Sequence, residues 1–222
     1  MTPRSGQSDP VGADRMAEFL EVMRQLRVEC GWKREQTHRS LSRYLLEETH
    51  ETLEAIDTGD RTGDWDHLRE ELGDLLLQVY FHAVIAEEAG EFTLDDVAAD
   101  IIDKMRRRNP HVFAPPGGER TPGGDAATIN EVWESIKATE KSRSSVEDGI
   151  PPGLPALLYA DKVLGRLARA GSAVAGDPGL SVRGASESAG DFGDRLLGLV
   201  VEARQSGVDP EQALRDAVRR LL

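Results

Sequence analysis

Two acidic clusters, Glu47-Glu48-Thr49-His50-Glu51 and Glu71-Leu72-Gly73-Asp74, lie inside strongly apolar helical stretches, with nineteen residues between Glu51 and Glu71. A carboxylate on a hydrophobic helix face is costly unless something compensates its charge. Four such groups on two neighbouring helices constrain the fold severely. The helices must face each other, and what they enclose must be positive. A divalent cation meets that requirement.

A helical wheel sharpens the constraint. Leu41, Tyr44, Leu45, Thr52, Ala55 and Ile56 fall on one face of the helix predicted over 40–56, with Glu48 in its middle, Glu51 at its edge and Glu47 just outside. On the next helix, Leu72, Leu75, Leu76, Val79 and Ala83 form the expected core face, and Leu77, Tyr80 and Val84 make the opposite side apolar. The one clean polar stripe is Glu71, Asp74, Gln78 and His82. Acids at i and i+3 point the same way, and a short loop brings the two pairs together. Carboxylate oxygens with room for water suit Mg²⁺ or Mn²⁺, whereas zinc favours His or Cys. Solvated acidic faces are the ordinary alternative, but such a face does not place Glu48 between Leu45 and Thr52. Glu47-x-x-His50 matches the Glu-x-x-His pair of diiron bundles, which need a second copy that this chain lacks. His50 points away from the apolar face and reads as exposed.

Helical periodicity covers nearly all of the 222 residues, and β-type alternation almost none, so the predicted class is all-α, of four-helix-bundle type. Residues 1–13 read as a disordered tail. A helix capped by Asp14 runs to about Val28 and breaks at Gly31. The 40–56 helix stops near Gly59, and 58–64 is a loop. The next helix, capped by Asp64 or Asp66, ends at Gly90. Thr93 caps a helix to about Arg107, ended by Asn109-Pro110. A Pro- and Gly-rich loop over 114–125 precedes a helix from Thr128 to about Lys141. Pro151, Pro152 and Pro155 mark a boundary, giving a catalytic segment over 14–145 and a second helical segment over 146–222, whose 171–190 stretch reads as flexible. Helices are expected from Pro155 to Ala170, from Asp191 to Gln205 and from Pro210 to Leu222. Gly193-Asp194-Arg195-Leu196-Leu197 faintly repeats Gly73-Asp74-Leu75-Leu76-Leu77, but no acidic helix precedes it. The second segment is therefore a degenerate copy.

A net charge of −13 disfavours nucleic acid as a partner, because that affinity needs Lys and Arg on phosphates. No apolar run approaches a membrane span and no signal peptide is evident, so a cytoplasmic location is expected. One cysteine, Cys30, excludes an intrachain disulfide. Local cations do occur. Arg106, Arg107 and Arg108 close one helix, where they also complement its dipole. A P-loop is absent.

At these residues the chain resembles the MazG family of nucleoside triphosphate pyrophosphohydrolases, in the all-α NTP pyrophosphatase superfamily. The signature is Glu-Glu-x-x-Glu followed by Glu-x-x-Asp, here Glu47, Glu48, Glu51, Glu71 and Asp74. Flanking matches are Trp32 with Glu35-Gln36-Thr37-His38, Asp103-Lys104, Arg107-Arg108, Pro110-His111-Val112-Phe113, and Trp133 with Ile136-Lys137. The resemblance implies Mg²⁺-dependent hydrolysis of nucleoside triphosphates to monophosphate and pyrophosphate, in nucleotide-pool cleaning, with Mn²⁺ as a substitute. It implies Glu48, Glu51, Glu71 and Asp74 as metal ligands, and Glu47 and Glu48 as catalytic, Glu47 placing water. Lys104, Arg107, Arg108 and Lys137 would grip phosphates, with Trp133 beside the nucleotide. Gly31 and Lys33 depart from the family's Cys-Pro-Trp-Asp, and Asn109 from its His before Pro-His-Val-Phe.

Two helices with one polar stripe do not enclose a core by themselves, so a homodimer or larger homo-oligomer is expected. The competing reading is a non-catalytic helical dimer that acts as a regulatory or interaction module.

Overall fold

The computed structural model describes residues 14–114, 117–140, 145–170 and 189–220. The calls on residues 1–13 and on most of 171–190 lie outside these. Among the described residues every regular element is an α-helix: α1 Arg15–Glu29, α2 Gly31–Glu35, α3 His38–Thr62, α4 Asp66–Glu88, α5 Leu94–Arg108, α6 Ala126–Thr139, α7 Ala156–Arg169, α8 Ala189–Gln205 and α9 Pro210–Arg219. They form two compact units, Met1–Trp133 and Glu134–Leu222.

Caps fix most helix starts. Asp14 accepts from the backbone of Met16 and Ala17 at the head of α1. Thr37 and Ser40 form a reciprocal capping box on α3, as do Thr93 and Asp96 on α5. Gly31 does not break a helix. The break is the extended residue Cys30, and Gly31 opens the short α2.

Nor does Gly59 stop α3, which runs through the expected 58–64 loop to Gly63. Gly63 ends it in the left-handed conformation, φ 76°, open to glycine at no steric cost. Gly59 is buried under the Trp65 ring, and a Cβ there would lie 2.4 Å from the ring. Its role is close packing across the α3–α4 turn, inside a helix.

The core of the first unit gathers Met23 of α1, Leu41 of α3 and Tyr80, Phe81 and Val84 of α4, with Phe19, Leu20, Tyr44, Leu76 and Leu94 packed around them. Tyr80 Oη donates to the Met16 carbonyl at 3.2 Å. Arg27 is buried and bidentate with Glu88, and it also donates to the carbonyls of Lys33, Arg34 and Gln36. One side chain thereby ties α1, α2 and the end of α4 together.

The face of α4 turned inward differs from the expectation. Leu72 and Val79 are exposed, while Glu71 and Gln78 of the polar stripe are buried with Tyr80, Phe81, Ala83 and Val84. On α3, Leu41, Thr52 and Ala55 are buried as expected, but Leu45 and Ile56 are exposed. The reason is geometric. α3 and α4 are antiparallel across a short turn, and the acids of both helices occupy the seam between them. The leucines beside the stripe rotate outward.

In the second unit, Leu164 of α7 and Val200 of α8 are buried. Arg204 of α8 crosses Gly165 and bonds the Asp161 carboxylate at 2.6 Å.

Candidate metal and phosphate site

The α3–α4 seam carries the site. Antiparallel pairing puts Glu48 of α3 opposite Glu71 and Asp74 of α4, and one carboxylate oxygen from each lies within 4.8 Å of the other two. Glu71 is buried; Glu48 and Asp74 are half-buried. Glu51, one turn along α3, is exposed, and its charge adds to the upward push on the Glu48 carboxyl. Glu47 is exposed, as is His50. Thr52 Oγ1 donates to the Glu48 carbonyl at 2.8 Å and keeps this polar turn of α3 compact.

Among the described residues no lysine or arginine is paired with these three acids. Burial pushes the Glu48 carboxyl above the usual carboxylate range, and the charges of Asp74, Glu51 and Glu71 raise it further. Three carboxylates converging without a lysine or arginine among them match what a hard divalent cation needs, namely several oxygens and no sulfur. Among the described residues this is the group of acids so arranged. Asp194 of α8, the counterpart of Asp74 in the faint repeat, is exposed.

A neighbour escaped the sequence reading. His67 Nε2 lies 2.9 Å from Glu71 Oε1, one helical turn away on α4. Its i, i+4 spacing was the available signal. Further along the stripe, Gln78 Oε1 and His82 Nε2 are buried without hydrogen-bond partners.

The cations divide. Arg106 and Arg107 of α5 line a groove of about 710 Å³ with Asp103, Pro110, Val112, Phe113 and Arg120. Arg120 comes from the Pro- and Gly-rich loop and carried no sequence signal. Arg108 stacks over the Trp133 ring, 5.2 Å from its centroid, so that face of the indole serves a cation. Lys104 is half-buried on α5. Lys137 pairs with Glu134 at 3.0 Å in the second unit.

Fold and site together define a class: an all-α protein whose two antiparallel helices present a carboxylate cluster suited to a divalent cation. The chain matches the model of the MazG nucleotide pyrophosphohydrolase domain over residues 36–113. That segment holds the whole acidic cluster and α5. An uncharacterized 26.1 kDa protein of Streptomyces cacaoi is 42% identical over 96% of this chain and 81% of its own. The nucleoside triphosphate pyrophosphohydrolase/pyrophosphatase MazG of Thermotoga maritima is 38% identical over 92% of this chain and 82% of its own. The nucleoside triphosphate pyrophosphohydrolase of Mycobacterium tuberculosis is 45% identical over 73% of this chain, which spans 48% of that relative. The chain belongs to the MazG family. No described helix is long and apolar enough to cross a membrane.

Proposed function

We propose that this chain hydrolyses nucleoside triphosphates to nucleoside monophosphate and pyrophosphate at the α3–α4 seam, in a Mg²⁺-dependent reaction that clears unwanted nucleotides. The observation that carries this reading is the convergence of Glu48, Glu71 and Asp74 within 4.8 Å. The printed names of the relatives support the reaction type.

Glu48, Glu71 and Asp74 would hold the cation, with Glu51 one turn along α3 to complete the set. Bound there, Mg²⁺ neutralises phosphate charge and lowers the pKa of a coordinated water. Water adds across the α–β anhydride, its proton passes to a carboxylate, and the β- and γ-phosphates leave together. Glu47, on the solvent side of Glu48, places that water. Lys104, Arg107 and Arg108 neutralise the departing pyrophosphate, and Trp133 fixes the Arg108 guanidinium. The exposed Leu45, Leu72 and Val79 beside the seam support a homodimer whose second copy covers them.

Asp74→Asn tests the ligand assignment. It should lose Mg²⁺ binding by calorimetry and reduce turnover by at least about a hundredfold, with helicity unchanged. Normal metal affinity in this variant would remove Asp74 from the site.

A further inference from the structure

The inward face of α4 does not end with its acids. It continues at Gln78 and His82, so acid, acid, amide and imidazole follow one another at steps of three and four residues. At 1.5 Å per residue, Gln78 stands about 6 Å and His82 about 12 Å beyond Asp74 along the helix axis. A nucleotide with its phosphates on the acids is long enough to set its sugar and base over that interval.

Gln78 is only 4% exposed, yet its Oε1 has no hydrogen-bond partner. One turn further on, the buried His82 Nε2 has none either. Each orphaned polar atom is destabilising, and a leucine at either position would avoid that cost. Two such atoms in line with a carboxylate cluster mark the place of a polar ligand.

The other ring nitrogen of His82 is engaged. Its Nδ1 lies 2.7 Å from Nδ1 of His38. The ring centroids are 5.0 Å apart with planes within 2°. A centroid separation that large at that N···N distance places the rings edge to edge in one plane, sharing a single proton. His38 is exposed and is the first residue of α3, whose start the Thr37–Ser40 capping box holds. It covers the far end of the stripe and fixes the His82 ring.

We propose that Gln78 and His82 read the base of the nucleotide whose phosphates lie on the acid cluster, with His38 as the positioning residue that holds the His82 ring. The proposal rests on the hydrolase reading above. An amide offers a donor beside an acceptor and pairs with a base edge carrying the complementary two. An amide alone can turn over to suit either order. The second contact, from His82 Nε2, fixes the order and so makes the site selective.

The test compares wild type, Gln78→Met and His38→Ala. kcat/KM is measured for ATP, GTP, CTP and UTP through pyrophosphate release, and affinity for the four monophosphates by calorimetry. Wild type should spread the four bases by at least roughly tenfold, the monophosphates following the same order. Gln78→Met, close to isosteric, should compress the spread to within about threefold by losing only on the preferred bases. His38→Ala should raise KM for the preferred nucleotide and leave kcat in place, and it repeats the test if Gln78→Met does not fold. An unchanged ranking in both variants, with only a higher melting temperature for Gln78→Met, would show a trapped water in place of a base reader. A wild type without base preference would equally overturn the inference. A wild type that releases pyrophosphate from no nucleotide defeats the hydrolase reading and this one with it, whereas turnover with an unaltered ranking defeats this one alone.

Discussion

Burial first, and then Asp74, Glu51 and Glu71, raise the Glu48 carboxyl above its ordinary range. The sign of the consequence is definite. A carboxyl that holds its proton more tightly folded than unfolded stabilises the fold at low pH, and that contribution is lost as pH rises through the raised folded value. Relative to Glu48→Gln, the metal-free protein should therefore lose stability as pH climbs through and above the carboxylate range, and Mg²⁺ at neutral pH should restore it. The comparison cancels Glu88, Asp96 and Asp125, whose carboxyls are held below the usual range and contribute with the opposite sign. Thermal melts of both proteins across pH, with and without Mg²⁺, check this; a difference between them that does not change with pH contradicts it. His67 belongs to the same scale. Its contact with Glu71 orients one ligand, so His67→Ala should weaken Mg²⁺ binding by about 10–100-fold while leaving the fold intact. Unchanged affinity would make the contact incidental. The acids themselves were legible as residues, because their spacing places them on facing helices. His67 was missed although its i, i+4 spacing to Glu71 was there to read, and Arg120 was not legible, since an arginine in a Pro- and Gly-rich loop carries no periodicity.

At the scale of elements, caps read well and faces less so. Asp14 and Thr93 are capping residues whose chemistry is local, and local chemistry is visible in sequence; the head of α4 is Trp65, without a side-chain cap bond, and neither Asp64 nor Asp66, and Thr37 of α3 went unread. Gly59 is the opposite case. A glycine in a helical pattern reads as a stop, yet here it is the floor under Trp65. The inward face of α4 misled for a related reason. Apolar residues surround that helix nearly all the way, so the wheel does not say which side meets α3. The site decides, since Glu71 and Asp74 turn toward Glu48 and leave Leu72 and Val79 outside. Gly59 gives a direct check. Alanine in an open helix position would gain about 1 kcal/mol over glycine, but the 2.4 Å approach to Trp65 reverses the balance. Gly59→Ala should lose about 1–2 kcal/mol in chemical denaturation, in the range of overpacked sites. A gain would mean that Trp65 moves aside without cost.

For the whole molecule, the acidic cluster and α5 lie in the first unit, and the second unit keeps the Gly-Asp echo without facing acids among its described residues. The all-α class was readable from periodicity alone. The distribution of the cations was not, because it depends on how α5 and the following loop fold back: Arg107 lines the groove and Arg108 is held by Trp133. In the proposed reaction the carboxylates gathered at one seam cleave the α–β anhydride and release the two outer phosphates as a unit. Phosphorus NMR of a nucleoside triphosphate incubated with the protein and Mg²⁺ tests this most directly. The account predicts equal amounts of nucleoside monophosphate and pyrophosphate as first products; orthophosphate and nucleoside diphosphate as first products would contradict it.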